Sequence, residues 1–128
     1  MPNEDIRIGF IGAGANTTLQ HLPKFKAIDG VSAVSVANRS KESGQKIADD
    51  WNLETVYESW EDLVRAKDAN TICIGTWPYM HKTLVLAALE NNKHVLCEAR
   101  MAMNLFEAIE MLKTSKSCIV KLKLQKLF

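Results

Sequence analysis

The sequence predicts one α/β domain, doubly wound around a mostly parallel sheet. Short apolar runs alternate with amphipathic stretches from Ile6 to Leu112, the first run ends in the turn Gly12-Ala13-Gly14, and each strand pattern leads into a helical one. Parallel neighbours need a crossover connection, so this alternation suits a parallel sheet with helices on both faces.

The first strand is Ile6 to Ile11, stopping at the glycine turn. Leu19, Leu22, Phe25 and Ile28 then recur at helical spacing, predicting a helix over Thr17 to Ala27 that Pro23 shortens or kinks. Valine-rich Val31 to Ala37 is the second strand. Ser40 caps a helix to about Trp51 with Ile47, Ala48 and Trp51 on one face. A short strand at Thr55 to Tyr57 precedes a helix from Ser59 to Arg65, with Ser59 and Asp62 in capping-box positions. The pattern repeats with a strand at Thr71 to Gly75, a helix at Met80 to Glu90 and a strand at His94 to Cys97. Asn104 and Glu107 form a second capping box before a last helix carrying Ala108, Ile109, Met111 and Leu112. Residues 1–116 are thus expected to form the domain. In 117–128, Val120, Leu122 and Leu124 alternate with Lys121, Lys123 and Gln125, as in a lysine-rich edge strand or an atypical tail.

Composition narrows the function classes. Of 128 residues, 47% are apolar and 24% charged, enough to bury a core, and a net charge of +1 gives no general pull toward nucleic acid or an anionic membrane. No apolar stretch approaches the roughly 20 residues of a membrane span, and Met1 to Asp5 does not read as a signal peptide, so a cytoplasmic location is expected. Cys73, Cys97 and Cys118 lie far apart in apolar runs without ligand spacing and read as buried thiols; no metal site is expected.

Chemistry centres on Gly12 and Gly14. Between a first strand and a first helix, glycines let the backbone turn sharply and let a pyrophosphate approach the amides of Ala15, Asn16 and Thr17, as in the dinucleotide-binding Rossmann arrangement. The third glycine of the full pattern is replaced by Thr17. That arrangement normally ends its second strand in an acid that binds ribose hydroxyls, whereas Ala37 is followed by Asn38, Arg39 and Ser40. A guanidinium beside a hydroxyl and an amide suits a 2′-phosphate, which favours NADP over NAD; the plainer reading makes Arg39 a solvated loop residue and Ser40 only a cap. Trp77 stands where the ligand edge of the sheet is expected, either covering the cofactor or shielding the sheet. His21 reads as a structural partner near the glycine turn. His94 is expected only to pack, and Trp51 and Trp60 to pack on helix faces.

Three segments together resemble the glucose-fructose oxidoreductase, inositol dehydrogenase and MocA (Gfo/Idh/MocA) family of NAD(P)-dependent enzymes: Ile8 to Gly14 with His21-Leu22-Pro23, Gly75 to His81, and Ala88 to Glu98. The resemblance implies that Thr76, Trp77, Pro78 and His81 line the nicotinamide side of the cleft with Glu98 at its end, although His81 could equally cap backbone groups. It also implies hydride exchange on a sugar, polyol or related carbonyl compound. Two departures stand out. The family's Glu-Lys-Pro, whose lysine helps position and protonate substrate, reads Glu98-Ala99-Arg100 here, leaving Arg100 a weak catalytic candidate. The family's C-terminal substrate domain is also absent, so a small-molecule substrate is expected only if another domain is supplied. A non-catalytic nucleotide-binding module, a truncated fragment without activity, and a shell that has lost its ligand are the alternatives. Leu122, Leu124, Leu127 and Phe128 lead to an expected homo-oligomer.

Overall fold

Strand residues of alternating facing build two cores from one sheet. In the computed structural model, which describes residues 5–14, 17–117 and 122–125, the strands are β1 (Ile6–Ile11), β2 (Val31–Ala37), β3 (Thr55–Val56), β4 (Thr71–Ile74), β5 (His94–Glu98) and β6 (Leu122–Gln125). The helices are α1 (Leu22–Lys26), α2 (Lys41–Trp51), α3 (Trp60–Arg65), α4 (His81–Glu90) and α5 (Leu105–Ser117). The sheet runs β3-β2-β1-β4-β5-β6, with every neighbouring pair parallel.

Period-two alternation divides the apolar side chains. Ile8, Phe10, Val36 and Cys73 join Leu22 of α1 and Ala48 of α2 on one face. Ile11, Ile72, Ile74 and Val95 join Leu63 of α3, Leu84 and Leu89 of α4 and Met111 of α5 on the other. Both faces are covered, as the near-continuous apolar strands require. Ser40 Oγ accepts from Ser43 N at 3.2 Å, Ser59 Oγ from Asp62 N at 3.2 Å, and Asn104 Oδ1 from Glu107 N at 3.0 Å, so the expected caps start α2, α3 and α5.

Several expectations change. The first helix is not continuous α-helix: a π-helical turn at Thr17–His21 precedes α1, because Pro23 has no N–H and the α-helical ladder must start afresh around it. Since α1 ends at Lys26, Ile28 lies beyond the helix and is exposed. On α5 Met111 is buried while Leu105, Phe106, Ile109 and Leu112 face outward, so Ile109 and Leu112 are not the packing face. His94 is exposed rather than packed. Ala15, Asn16, Cys118, Val120, Lys121, Leu127 and Phe128 lie outside the described residues, and so do the side chains of β6.

Candidate functional site

Strand order reverses between β1 and β4, whose connections leave toward opposite faces, so their C-terminal ends part and open a crevice. A cleft of about 550 Å³ occupies that edge. Its walls include Gly12, Ala13 and Gly14 after β1, Asn38 and Arg39 after β2, Glu58, Ser59 and Trp60 at the start of α3, and Thr76, Trp77 and Tyr79 after β4.

The two glycines serve different needs. Gly12 has φ +76°, and a Cβ there would come within 2.9 Å of Thr76 N, so both its conformation and the adjoining loop require glycine. At Gly14 a Cβ would meet no atom of the described residues within 4 Å. This open side of a short loop is the kind of cradle in which a pyrophosphate reaches main-chain amides. The residues fit a dinucleotide here: a glycine unobstructed by the described residues, an exposed guanidinium at Arg39, and a buried Thr76 hydroxyl oxygen with no hydrogen-bond partner among the described residues.

Asn38 is turned to a task the sequence did not suggest. Its Oδ1 accepts from Ala13 N at 2.7 Å, while its Nδ2 donates to Ala13 O at 3.2 Å and to Ser43 Oγ at 2.8 Å. The amide therefore pins the glycine loop to the ends of β2 and α2. Its side chain lines the cleft with its polar atoms already committed.

Other residues expected at the cofactor also make bonds within the fold. His81 is buried between the loop after β4 and the segment after β5, with Nε2 2.9 Å from Thr76 O and Nδ1 3.2 Å from Met101 O, and the ring nitrogen that carries the proton donates to the carbonyl it faces. Glu98 is 7% exposed and lies 2.6 Å from Nε2 of His21, itself 3% exposed. Thr17 is buried beside Gly75, where a Cβ would be 3.0 Å from Thr17 Oγ1. Thr17, Ser40, Pro78, His81, Glu98 and Arg100 are not among the cleft-lining residues; Gly12, Gly14, Asn38, Arg39, Thr76 and Trp77 are.

The sequence reading missed Ser43, Glu58, Ser59, Trp60, Tyr79 and Met80 as lining residues. Trp60 packs against the core as expected, yet also borders the cleft. The signal was available, since Glu58 and Ser59 follow β3 at the sheet's C-terminal edge, where ligands of such folds bind. Among the described residues, no group of three or more His, Cys, Asp or Glu side chains could hold a metal ion.

The profile of an oxidoreductase family with an NAD-binding Rossmann fold, Gfo/Idh/MocA, matches residues 6–124. This chain belongs to that family. Among curated relatives, the trans-1,2-dihydrobenzene-1,2-diol dehydrogenase of Xenopus tropicalis is 31% identical over 110 residues, covering 84% of this chain and 33% of the relative. The inositol 2-dehydrogenase/D-chiro-inositol 3-dehydrogenase of Shouchella clausii is 30% identical over 99 residues, covering 76% and 28%. The chain thus spans about a third of the length of these Gfo/Idh/MocA relatives. A 3-ketoreductase from Actinomadura kijaniata, solved with TDP-benzene and NADP, shares the fold with a TM-score of 0.88 at 21% identity, covering 93% of this chain and 37% of that one. The chain is the NAD(P)-binding Rossmann domain of the Gfo/Idh/MocA fold.

Proposed function

We propose that this domain binds NADP in preference to NAD and supplies the cofactor half of hydride exchange on a sugar, polyol or related carbonyl compound. Arg39 carries the proposal: it is exposed on the cleft wall just past β2, and neither Ala37 nor Asn38 offers the carboxylate that would bind a ribose 2′-hydroxyl. The reductase from Actinomadura kijaniata and a biliverdin reductase from Synechocystis, similar in fold, were both solved with an NADP-type cofactor. When bound, the nicotinamide accepts or donates the hydride. The chain's part is to seat the pyrophosphate at Gly12 to Gly14, set the 2′-phosphate against Arg39 and cover the far end with Trp77.

Ala99 favours a narrower reading for the chain by itself, namely dinucleotide binding without turnover. It places a methyl where the family motif has a lysine, and Arg100 beside it is exposed and outside the cleft lining. Substrate binding then depends on a facing domain, and the reading sets the chain in the cytoplasm as a homo-oligomer, without nucleic acid or membrane as partner. Among the described residues, no helix is long and apolar enough to cross a membrane.

Calorimetric titration with NADP and NAD tests the proposal on the intact chain and on Arg39→Asp. Tighter binding of NADP, reversed in the variant, is expected. A folded chain that takes up neither nucleotide overturns it.

A further inference from the structure

Two opposite charges line the same cleft. Arg39 comes from the loop after β2, and Glu58 from the loop between β3 and α3. Glu58 Oε1 also lies 3.2 Å from Lys41 Nζ, at the start of α2. The side chains of that pair are 62% and 73% exposed, so solvent screens the attraction and either partner exchanges it readily for another.

We propose that Glu58 is a second determinant of cofactor choice, supplying from the β3–α3 loop the ribose-hydroxyl acceptor that the end of β2 lacks. Lys41 sets how far it does so. With NAD, the ribose 2′-hydroxyl donates to the Glu58 carboxylate. With NADP, the 2′-phosphate meets Arg39 and draws Lys41 from Glu58, whose remaining negative charge opposes the phosphate. The chain then accepts both dinucleotides, and its NADP preference is the difference between Arg39 and Glu58 on the cleft wall, adjusted by Lys41 beside Glu58. This deepens the dinucleotide reading above and rests on it.

Adenosine 2′,5′-bisphosphate and adenosine 5′-phosphate isolate the adenosine end, and NADP and NAD report the whole cleft. All four are titrated against the intact chain, Glu58→Gln and Lys41→Gln. At low salt Glu58→Gln is expected to tighten the bisphosphate and NADP by about tenfold and to weaken NAD, while Lys41→Gln weakens the bisphosphate and NADP by about tenfold and spares NAD. Both side chains are largely exposed, so neither change endangers folding. An NADP-to-NAD ratio unmoved by Glu58→Gln, in a chain that still binds both, overturns the role of Glu58 alone. Failure of the intact chain to bind any of the four overturns the dinucleotide reading and this one with it.

Discussion

Nε2 of His21 lies 2.6 Å from Oε1 of Glu98 with both residues buried, so the turn that follows the glycine loop is bonded to the last residue of β5. The pair runs beneath Gly75, where a Cβ would stand 3.5 Å from the Glu98 carboxyl carbon. Removing the imidazole takes a partner from a carboxyl group that water hardly reaches. His21→Ala is expected to cost about 1–3 kcal/mol in urea unfolding, and Glu98→Gln, which keeps an acceptor of the same size, less. An unchanged midpoint in His21→Ala would show that the bond contributes nothing.

Gly12 and Gly14 should respond differently to the same substitution. Gly12→Ala forces a side chain into a left-handed conformation and against the backbone of Thr76, so both stability and nucleotide binding are expected to fall. Gly14→Ala meets none of the described residues, so the melting temperature should hold while dinucleotide affinity drops as the methyl enters the cradle. Equal losses of stability in the two variants would contradict this division.

The two described cysteines predict an alkaline loss of stability. Burial, reinforced by the charge of Glu98, pushes the Cys97 thiol up to about 12 and raises Cys73 as well, from an ordinary thiol value of 9.0. In the unfolded chain both thiols ionise near that ordinary value, so above it the unfolded state sheds protons that the fold retains. The stability they contribute is full below pH 9.0 and declines as pH rises toward about 12, by up to ~1.4 kcal/mol per pH unit for each thiol. In a Cys118→Ser background, the pH dependence of the urea midpoint above this point should flatten in Cys97→Ala.

Much of the layout is legible because it follows from local patterns. The apolar runs of β1, β2, β4 and β5, the caps at Ser40, Ser59 and Asn104, and the Gly12 turn all depend on near neighbours. The bonds of Asn38 and Glu98 were not legible in this way, and the backbone contacts of His81 stood only as one of two alternatives. A cofactor motif assigns such residues to the ligand, whereas their partners Ala13, Met101 and His21 are brought beside them only by strand order. Glu58, Ser59 and Trp60 were missed for a related reason: a two-residue β3 leaves little pattern to announce that the next loop reaches the cleft.

Trp77 should report occupancy directly. It is 73% exposed and borders the cleft, so a dinucleotide that stacks on the indole shields it from water. Saturating NADP is expected to quench or blue-shift the tryptophan emission. Trp77→Phe should remove most of that change, and Trp77→Ala should weaken binding by roughly two- to tenfold. Because Trp60 also borders the cleft, a signal that disappears only in Trp60→Phe would assign the contact to that ring.

The three bonds made by the Asn38 amide restrict how this domain's nucleotide preference can evolve or be redesigned. One single-base step toward a ribose-binding acid is Asn38→Asp, yet it would turn an oxygen toward the carbonyl of Ala13 where a donor now stands, loosening the loop meant to hold the pyrophosphate. A lineage switching cofactors would therefore keep position 38 fixed and change the outward-facing charges around it. The anchor persists while the recognition surface drifts.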